Sequence, residues 1–166
     1  MEFDDVDNNV DEDEDKEPVN YKEKISFLTP FSPTDEHPLG HKLQSPKLTM
    51  KPGDRIGVTV GVVGIDLDYI YTVNVDIYFD DKLLTDHDIN VEHFSNRYEV
   101  SGTGFNTTTF EFEFPEYLEL HDEGLYRISC VLYRNHENRD PNYDLEALEE
   151  VTKSDTFFYV SDDWYL

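Results

Sequence analysis

Residues 121–130, HDEGLYRISC, contain the pattern that decides the fold of this chain. An acidic residue at Asp122, a glycine at Gly124 and a tyrosine at Tyr126 stand two positions apart, and apolar residues then alternate with polar ones as far as Cys130. Alternation of period two predicts a β-strand with one buried face, and glycine allows the chain to enter that strand through a sharp bend. The stretch therefore predicts a core strand that begins near Gly124 and buries Tyr126.

The same alternation predicts other strands before and after this one. Short turns rich in Gly, Pro and Asp separate them at intervals of roughly 8–12 residues, which is typical of an antiparallel sandwich. Asp80 and Asp81 supply one such turn, so residues 70–90 are predicted to form a hairpin. The predicted strands cover residues 56–62, 71–79, 110–114 and 156–160.

Two segments depart from this pattern. Residues 29–46 contain four prolines and a glycine, which predicts an irregular crossing because each proline removes a backbone donor. Residues 144–150 are acidic with interspersed Leu and Ala, and they predict one or two helical turns capped by Asp144.

The Asp-x-Gly-x-Tyr spacing at residues 122–126 resembles the tyrosine corner of immunoglobulin-like domains. The resemblance implies an all-β fold, an immunoglobulin-like antiparallel sandwich of two sheets. Ile128 stands where domains with the inter-sheet disulfide place a cysteine, and Trp164 lies too near the C-terminus to be the core tryptophan. By the same resemblance, strands E, F and G are residues 105–114, 124–134 and 155–161.

The first residues of the chain differ sharply from the rest in composition. Residues 1–17 hold ten carboxylates and one lysine, and such a segment has too little apolar surface to offset the entropy of ordering. We therefore expect residues 1–20 to be a flexible acidic arm, disordered when free. Residues 21–166 are expected to form a single β-sandwich domain.

The formal net charge of −25 limits the partners of the chain. Nucleic acids and anionic lipids attract clustered Lys and Arg, so direct binding to nucleic acid or to a membrane is not expected. The N-terminus has no basic and apolar signal pattern, and no segment is apolar over the ~18 residues that a bilayer requires. These features predict a cytoplasmic protein.

No motif for catalysis or for a cofactor is present, and we expect a protein that is not an enzyme. Cys130 is the sole cysteine and lies on the predicted core face, where a thiol is inert. The stretch that begins at Asp86 starts like a calcium loop but has Val91 at the position that requires glycine, so it predicts no calcium hand. The histidines do not show the spacing of a metal site, whereas the pairs Asp66 with Asp68 and Asp86 with Asp88 leave a looser calcium site between loops as an alternative.

The abundance of aromatic side chains among carboxylates instead favours protein binding. The first hypothesis is a non-enzymatic module, an acidic inhibitor or antagonist of phage-encoded or immunity type, that covers a basic surface of a partner protein. In its sharpest form this inhibitor imitates the negative charge of nucleic acid. The alternatives are a structural or assembly subunit of a virion, tail or appendage, and a sandwich with a calcium or carbohydrate site in its loops. The predicted partner-binding residues are Asp11, Glu12, Asp13, Glu14, Asp15, Asp162, Asp163, Trp164 and Tyr165.

Overall fold

The described part of the chain consists of β-strands joined by turns and loops. The computed structural model describes residues 21–33, 46–66, 68–85, 97–101, 106–114, 118, 120–135 and 148–163. These residues contain no helix, and hence none that could span a bilayer. The strands are β1 (Lys24–Phe31), β2 (Thr49–Met50), β3 (Gly57–Val63), β4 (Ile70–Phe79), β5 (Lys82–Leu83), β6 (Arg97–Ser101), β7 (Thr107–Glu113), β8 (Gly124–Asn135) and β9 (Glu149–Val160).

The strands form two sheets. The smaller sheet has the order β1–β3–β7 and is antiparallel throughout. The larger sheet has the order β2–β9–β8–β4, and β5 and β6 each pair with a different part of β4. Its pairs are antiparallel except for β2 with β9, which run parallel over two residues. The predicted all-β fold is confirmed in this coarse form.

A single hydrophobic core lies between the two sheets. Every second side chain of β4, β8 and β9 points towards the smaller sheet and packs on the inward side chains of β3. Burying a branched aliphatic side chain contributes about 1.5–3 kcal/mol, so this shared layer holds the two sheets together as a sandwich. The residues that are fully or almost fully buried there include Val58, Val60, Val62, Tyr71, Val73, Val75, Ile77, Ile128, Cys130, Leu132, Phe158 and Val160.

The stretch that decides the fold forms a fixed corner at the start of β8. The Tyr126 hydroxyl donates a hydrogen bond to the carbonyl oxygen of Asp122 at 2.9 Å. Gly124 has a φ of +143°, which side chains of L-residues rarely adopt, so a glycine is needed at this bend. The Tyr126 ring is packed between Phe79, with ring centroids 4.6 Å apart, and Phe158, at 5.1 Å. The corner thus fixes which face of β8 points into the core.

The smaller sheet covers two of its glycines with aromatic rings. Gly57 pairs with Phe31, and Gly61 pairs with Phe27. A Cβ atom at either glycine would lie within 2.2 Å of the ring of its partner, so the rings rest directly on the backbone of β3. Residues 57–62 of β3 are consequently buried on both faces, whereas the alternation in sequence predicts one buried face.

Other sequence predictions have mixed outcomes. The hairpin at Asp80 and Asp81 is confirmed, since both residues have positive φ and join β4 to β5. Of the irregular crossing predicted over residues 29–46, residues 29–31 belong to β1 instead, and residues 34–45 lie outside the described part. Pro30 is tolerated in β1 because this is an edge strand whose unpaired side needs no N–H donor. The predicted helix over 144–150 is wrong at its end, where β9 begins, and residues 144–147 lie outside the described part. The acidic arm, residues 1–20, also lies outside it.

Candidate partner-binding surface

The outer face of the larger sheet carries three large apolar side chains at the end where β8 begins and β9 ends. Leu125, Phe157 and Tyr159 are exposed by 57%, 50% and 49%. Leu125 is the cross-strand partner of Tyr159, and Phe157 is the partner of Arg127 in the adjacent pair on the same face. Scattered exposed apolar residues are ordinary, but a contiguous group on one sheet face is typical of an interaction site. We refer to these three residues as the apolar patch.

The local sequence places the patch on this face. Tyr126, Phe158 and Val160 point into the core, so their neighbours must point away from it because successive strand side chains alternate. The consecutive aromatic residues at the end of β9 therefore divide between core and surface. The strands that carry the patch hold the stacked rings of Tyr126 and Phe158 on their opposite face.

A cation lies beside the patch and is already partnered. The guanidinium of Arg127 is 4.2 Å from the centre of the Tyr78 ring, and its Nη1 is 3.5 Å from Oδ2 of Asp155. Stacking on a ring and pairing with a carboxylate both stabilise the arginine, so its positive charge is largely offset within the face.

Exposed carboxylates border the patch at this end of the sheet. They come from the β4–β5 turn, from the residues before β8 and from those after β9. Glu123 Oε1 accepts a hydrogen bond from the Asp162 N–H at 2.6 Å, which ties two of these segments together. We refer to the six carboxylates as the acidic rim: Asp80, Asp81, Asp122, Glu123, Asp162 and Asp163.

The rim gives this end of the molecule a negative potential that favours a basic partner. Lys82 directly follows the β4–β5 turn, but it is in register with the inward-facing Phe79 and so lies on the opposite face from the patch. An apolar centre with a charged border is the usual composition of a protein interface.

Only some of the predicted partner-binding residues lie in the described part of the chain. Asp162 and Asp163 follow β9 directly and belong to the acidic rim. The corner residues Asp122, Gly124 and Tyr126 lie beside them. The other predicted residues, which are Asp11, Glu12, Asp13, Glu14, Asp15, Trp164 and Tyr165, lie outside the described residues.

The three patch residues were missed by the sequence prediction. The signal was present in β9, where Phe157 and Tyr159 alternate with two residues that continue the core face, Phe158 and Val160. It was also present at Leu125, which has the outward parity of β8 once Tyr126 is assigned to the core.

The opposite end of the larger sheet holds a buried polar network, which we call the end clamp: Tyr21, Glu23, Tyr71, Arg134 and Glu149. Glu23 is 2% exposed; its Oε1 accepts hydrogen bonds from the Tyr71 hydroxyl at 2.7 Å and from Arg134 Nη2 at 2.5 Å. Arg134 Nη1 is also 3.7 Å from Glu149 Oε2, and the Tyr21 hydroxyl bonds to Glu149. The network joins the segment before β1 to β4, β8 and β9.

The environment of the end clamp shifts the pKa values of its two most buried residues, Tyr71 and Glu23. Burial raises the pKa of Tyr71 to about 12, and its hydrogen bond to Glu23 acts in the same direction. Burial alone would raise the pKa of Glu23, but hydrogen bonds from Arg134 and Tyr71 outweigh it and hold that pKa below its ordinary value. The carboxylate is therefore ionised and the phenol protonated at neutral pH, which is the state that the network requires.

A groove of about 650 Å³ lies beside the end clamp and includes Asp66 and Asp68. Oδ1 of Asp66 accepts the Asp68 N–H at 2.9 Å, so this carboxylate caps its own turn. Among the described residues, no group of three His, Cys, Asp or Glu side chains is arranged to hold a metal ion. The calcium alternative at Asp86 and Asp88 falls outside those residues.

The chain's cysteine shows no sign of reactivity. Cys130 is buried in the core, as predicted, and burial raises its pKa to about 12. A thiol with such a pKa holds its proton at neutral pH and is a poor nucleophile.

Comparisons with known proteins add little to these observations. No known protein family matches the sequence, and no curated protein shows significant similarity to it. Part of a β-glucosidase from Listeria innocua, whose crystal structure was determined in complex with glucose, aligns with 11% identity and a TM-score of 0.43. The alignment covers 84% of this chain and 16% of the β-glucosidase, so the chain spans less than a fifth of that protein. A similarity at this level carries no argument about function.

Proposed function

We propose that this chain is a non-enzymatic protein-binding module that covers a basic surface of a partner protein. The observation that carries the proposal is the apolar patch, three neighbouring side chains about half exposed on a sheet face, bordered by the acidic rim. Burial of the patch supplies the favourable free energy of association, and the rim selects a positively charged partner.

The charge of the whole chain supports the same partner chemistry. A net charge of −25 raises the rate of encounter with a basic protein and disfavours binding to a second copy of this chain. In its sharpest form the module is an acidic inhibitor or antagonist that occupies a nucleic-acid-binding surface of its partner. The buried thiol of Cys130 and the structural roles of the described polar clusters support the non-enzymatic part of the proposal.

We further propose that the sandwich is immunoglobulin-like. The hydrogen bond from Tyr126 to the Asp122 carbonyl supports this, because a tyrosine corner makes the same kind of bond. The sheet orders β1–β3–β7 and β9–β8–β4 also agree with strands A–B–E and G–F–C of such domains. The proposal concerns architecture alone, since this superfold carries many functions.

Affinity capture with a matched pair of chains tests the proposed function. The wild-type chain and the triple variant L125T/F157T/Y159T are immobilised and exposed to an extract of the native host. Threonine keeps the β-strand preference and removes the apolar surface. A basic protein retained by wild type, lost from the triple variant and released as salt rises from about 0.05 to about 0.5 M supports the proposal.

Either of two results would overturn it. The first is equal retention of the same proteins by both chains. The second is self-association of the wild type into large particles in light scattering, which favours an assembly subunit.

A further inference from the structure

A cleft of about 290 Å³ opens next to the apolar patch, at the β4–β5 turn. Its apolar walls include Leu125, Phe157 and the ring of Tyr78. Asp80 and Asp81 also line it and are exposed to solvent. The cleft therefore combines an apolar interior with two carboxylates.

The walls of the cleft are preorganised in the free chain. Asp80 and Asp81 have φ values of 48° and 59°, so the two-residue turn holds both in the left-handed conformation that suits a tight hairpin. Tyr126 also lines the cleft, and its ring, which points into the core, is held by its packing between Phe79 and Phe158. A preformed site loses little conformational entropy on binding.

The one arginine that lines the cleft does not cancel its negative charge. Arg127 is offset by Asp155 and lies over the Tyr78 ring. The charges of Asp80 and Asp81 remain, so the cleft favours a cation.

We propose that this cleft receives a single lysine or arginine side chain of the partner. This inference rests on the proposed function and identifies one contact of the proposed interface. Its volume lies just below the lower limit of about 300 Å³ for small-molecule pockets, which suits one side chain. The aliphatic stem of a basic residue packs against Leu125 and Phe157, as such stems do on apolar surfaces. The charged head then reaches the carboxylates of the turn. An acidic guest would be repelled, and an apolar guest would leave both carboxylates without a counter-charge.

A binding experiment with blocked tripeptides tests the inference without the partner. The probes are acetyl-Gly-Lys-Gly-amide, its arginine equivalent and its norleucine equivalent, titrated into the isotope-labelled full chain and followed by amide chemical shifts. The lysine and arginine probes are expected to shift the resonances of residues 78–83 and 125–127. The norleucine probe is expected to bind with an affinity at least about fivefold lower.

Two double variants of equal charge change separate the cleft from the general charge of the chain. D80N/D81N keeps the turn, since asparagine accepts positive φ. This variant is expected to lower the affinity for the lysine probe at least about fivefold. D66N/D68N removes two carboxylates at the other end of the sheet and is expected to change the affinity of the probe less than about twofold. Equal weakening by both variants, or equal binding of the norleucine probe, would overturn the inference.

The outcome is separable from that of the proposed function. Partner capture that is lost in L125T/F157T/Y159T but unaffected in D80N/D81N refutes the cleft and leaves the function standing. Lysine-probe binding at the cleft, together with partner capture that survives in the triple variant, refutes the proposed function and leaves the cleft as a site for basic side chains.

Discussion

The two ends of the larger sheet differ in which side chains they bury: one end buries polar groups, and the other exposes apolar groups. At the end clamp, the buried carboxylate of Glu23 accepts hydrogen bonds from the buried phenol of Tyr71 and from Nη2 of Arg134, so these groups are paired within the chain. At the apolar patch, large apolar side chains face solvent and the neighbouring carboxylates are exposed. A buried charge without partners costs several kcal/mol, which explains the clamp as part of the fold.

The patch has no such explanation within the described fold. Exposing Leu125, Phe157 and Tyr159 adds nothing to folding stability beyond their packing on neighbouring strands, and it carries a risk of aggregation. Under the proposed function, stability and recognition reside at separate ends of one sheet. Substitutions at the two ends should therefore have separable effects.

The largest effect is expected from Glu23→Gln in the end clamp. Replacing Glu23 leaves the partly buried Arg134 with only the more distant Glu149 as a counter-ion, and the free energy of unfolding should fall by about 3 kcal/mol, the low end of the range for breaking a buried pair. Urea unfolding measures it, and partner affinity should stay within about twofold while the domain is folded. If this variant does not fold, Tyr71→Phe removes two hydrogen bonds, the one donated to Glu23 and the one accepted from the Asp66 N–H, and should cost about 1–3 kcal/mol. An unchanged unfolding midpoint in both variants would contradict the conclusion that the end clamp, unlike the apolar patch, stabilises the fold.

The next effect is on binding, at the patch. Phe157→Thr should raise the Kd for the captured partner about 30-fold, because truncating a central anchor costs about 2 kcal/mol or more. Its free energy of unfolding should change by less than about 1 kcal/mol, since the side chain is half exposed. Ile70→Thr is the matched control, an exposed apolar residue on the same sheet at the other end. Equal losses of affinity in the two variants would argue against a localised site.

The stability that Glu23 contributes at the end clamp should depend on pH. Its pKa is lowered in the folded protein, so the stability it contributes is present above its ordinary value of 4.5 and is lost as the pH falls through the folded-state value. The stability difference between wild type and Glu23→Gln should therefore be largest near neutral pH and shrink in acid. Thermal unfolding of both proteins across this range measures it. A difference that grows on acidification would contradict the assigned charge state.

The smallest effect is expected at the acidic rim. D162N/D163N should slow association with a basic partner a few-fold at low salt and leave dissociation nearly unchanged, because rim charges act mainly on encounter. Stability should stay within about 0.5 kcal/mol of wild type, as for most surface substitutions. Surface plasmon resonance at two salt concentrations separates the rates. A main effect on the dissociation rate would place these residues inside the interface.

Local signals in the sequence were sufficient for the centre of the fold. The corner at Gly124 and Tyr126, the strand that follows and the hairpin turn at Asp80 and Asp81 are each specified by turn chemistry and period-two alternation. The beginning of β9 was not predictable in this way. Its Glu-rich residues favour a helix locally, and pairing of Glu149 and Glu150 with the end of β8 overrides that preference.

The two ends of the sheet differed in how much the sequence revealed. Asp162 and Asp163 could be selected by charge alone. The role of Glu23 could not, because one buried carboxylate among 38 acidic residues is identified only by its contacts with Tyr71 and Arg134. The patch depends on which face of β9 the smaller sheet leaves uncovered, and that is a property of the tertiary structure.

The most direct test of the central claim is a footprint of the captured partner on the isotope-labelled chain, read from amide chemical shifts. Binding through the outer face predicts that the largest changes cluster at residues 78–83, 122–127 and 157–163, with the end clamp unaffected. Changes confined to the end clamp or to the smaller sheet would contradict the assignment of recognition to the apolar patch and its acidic rim.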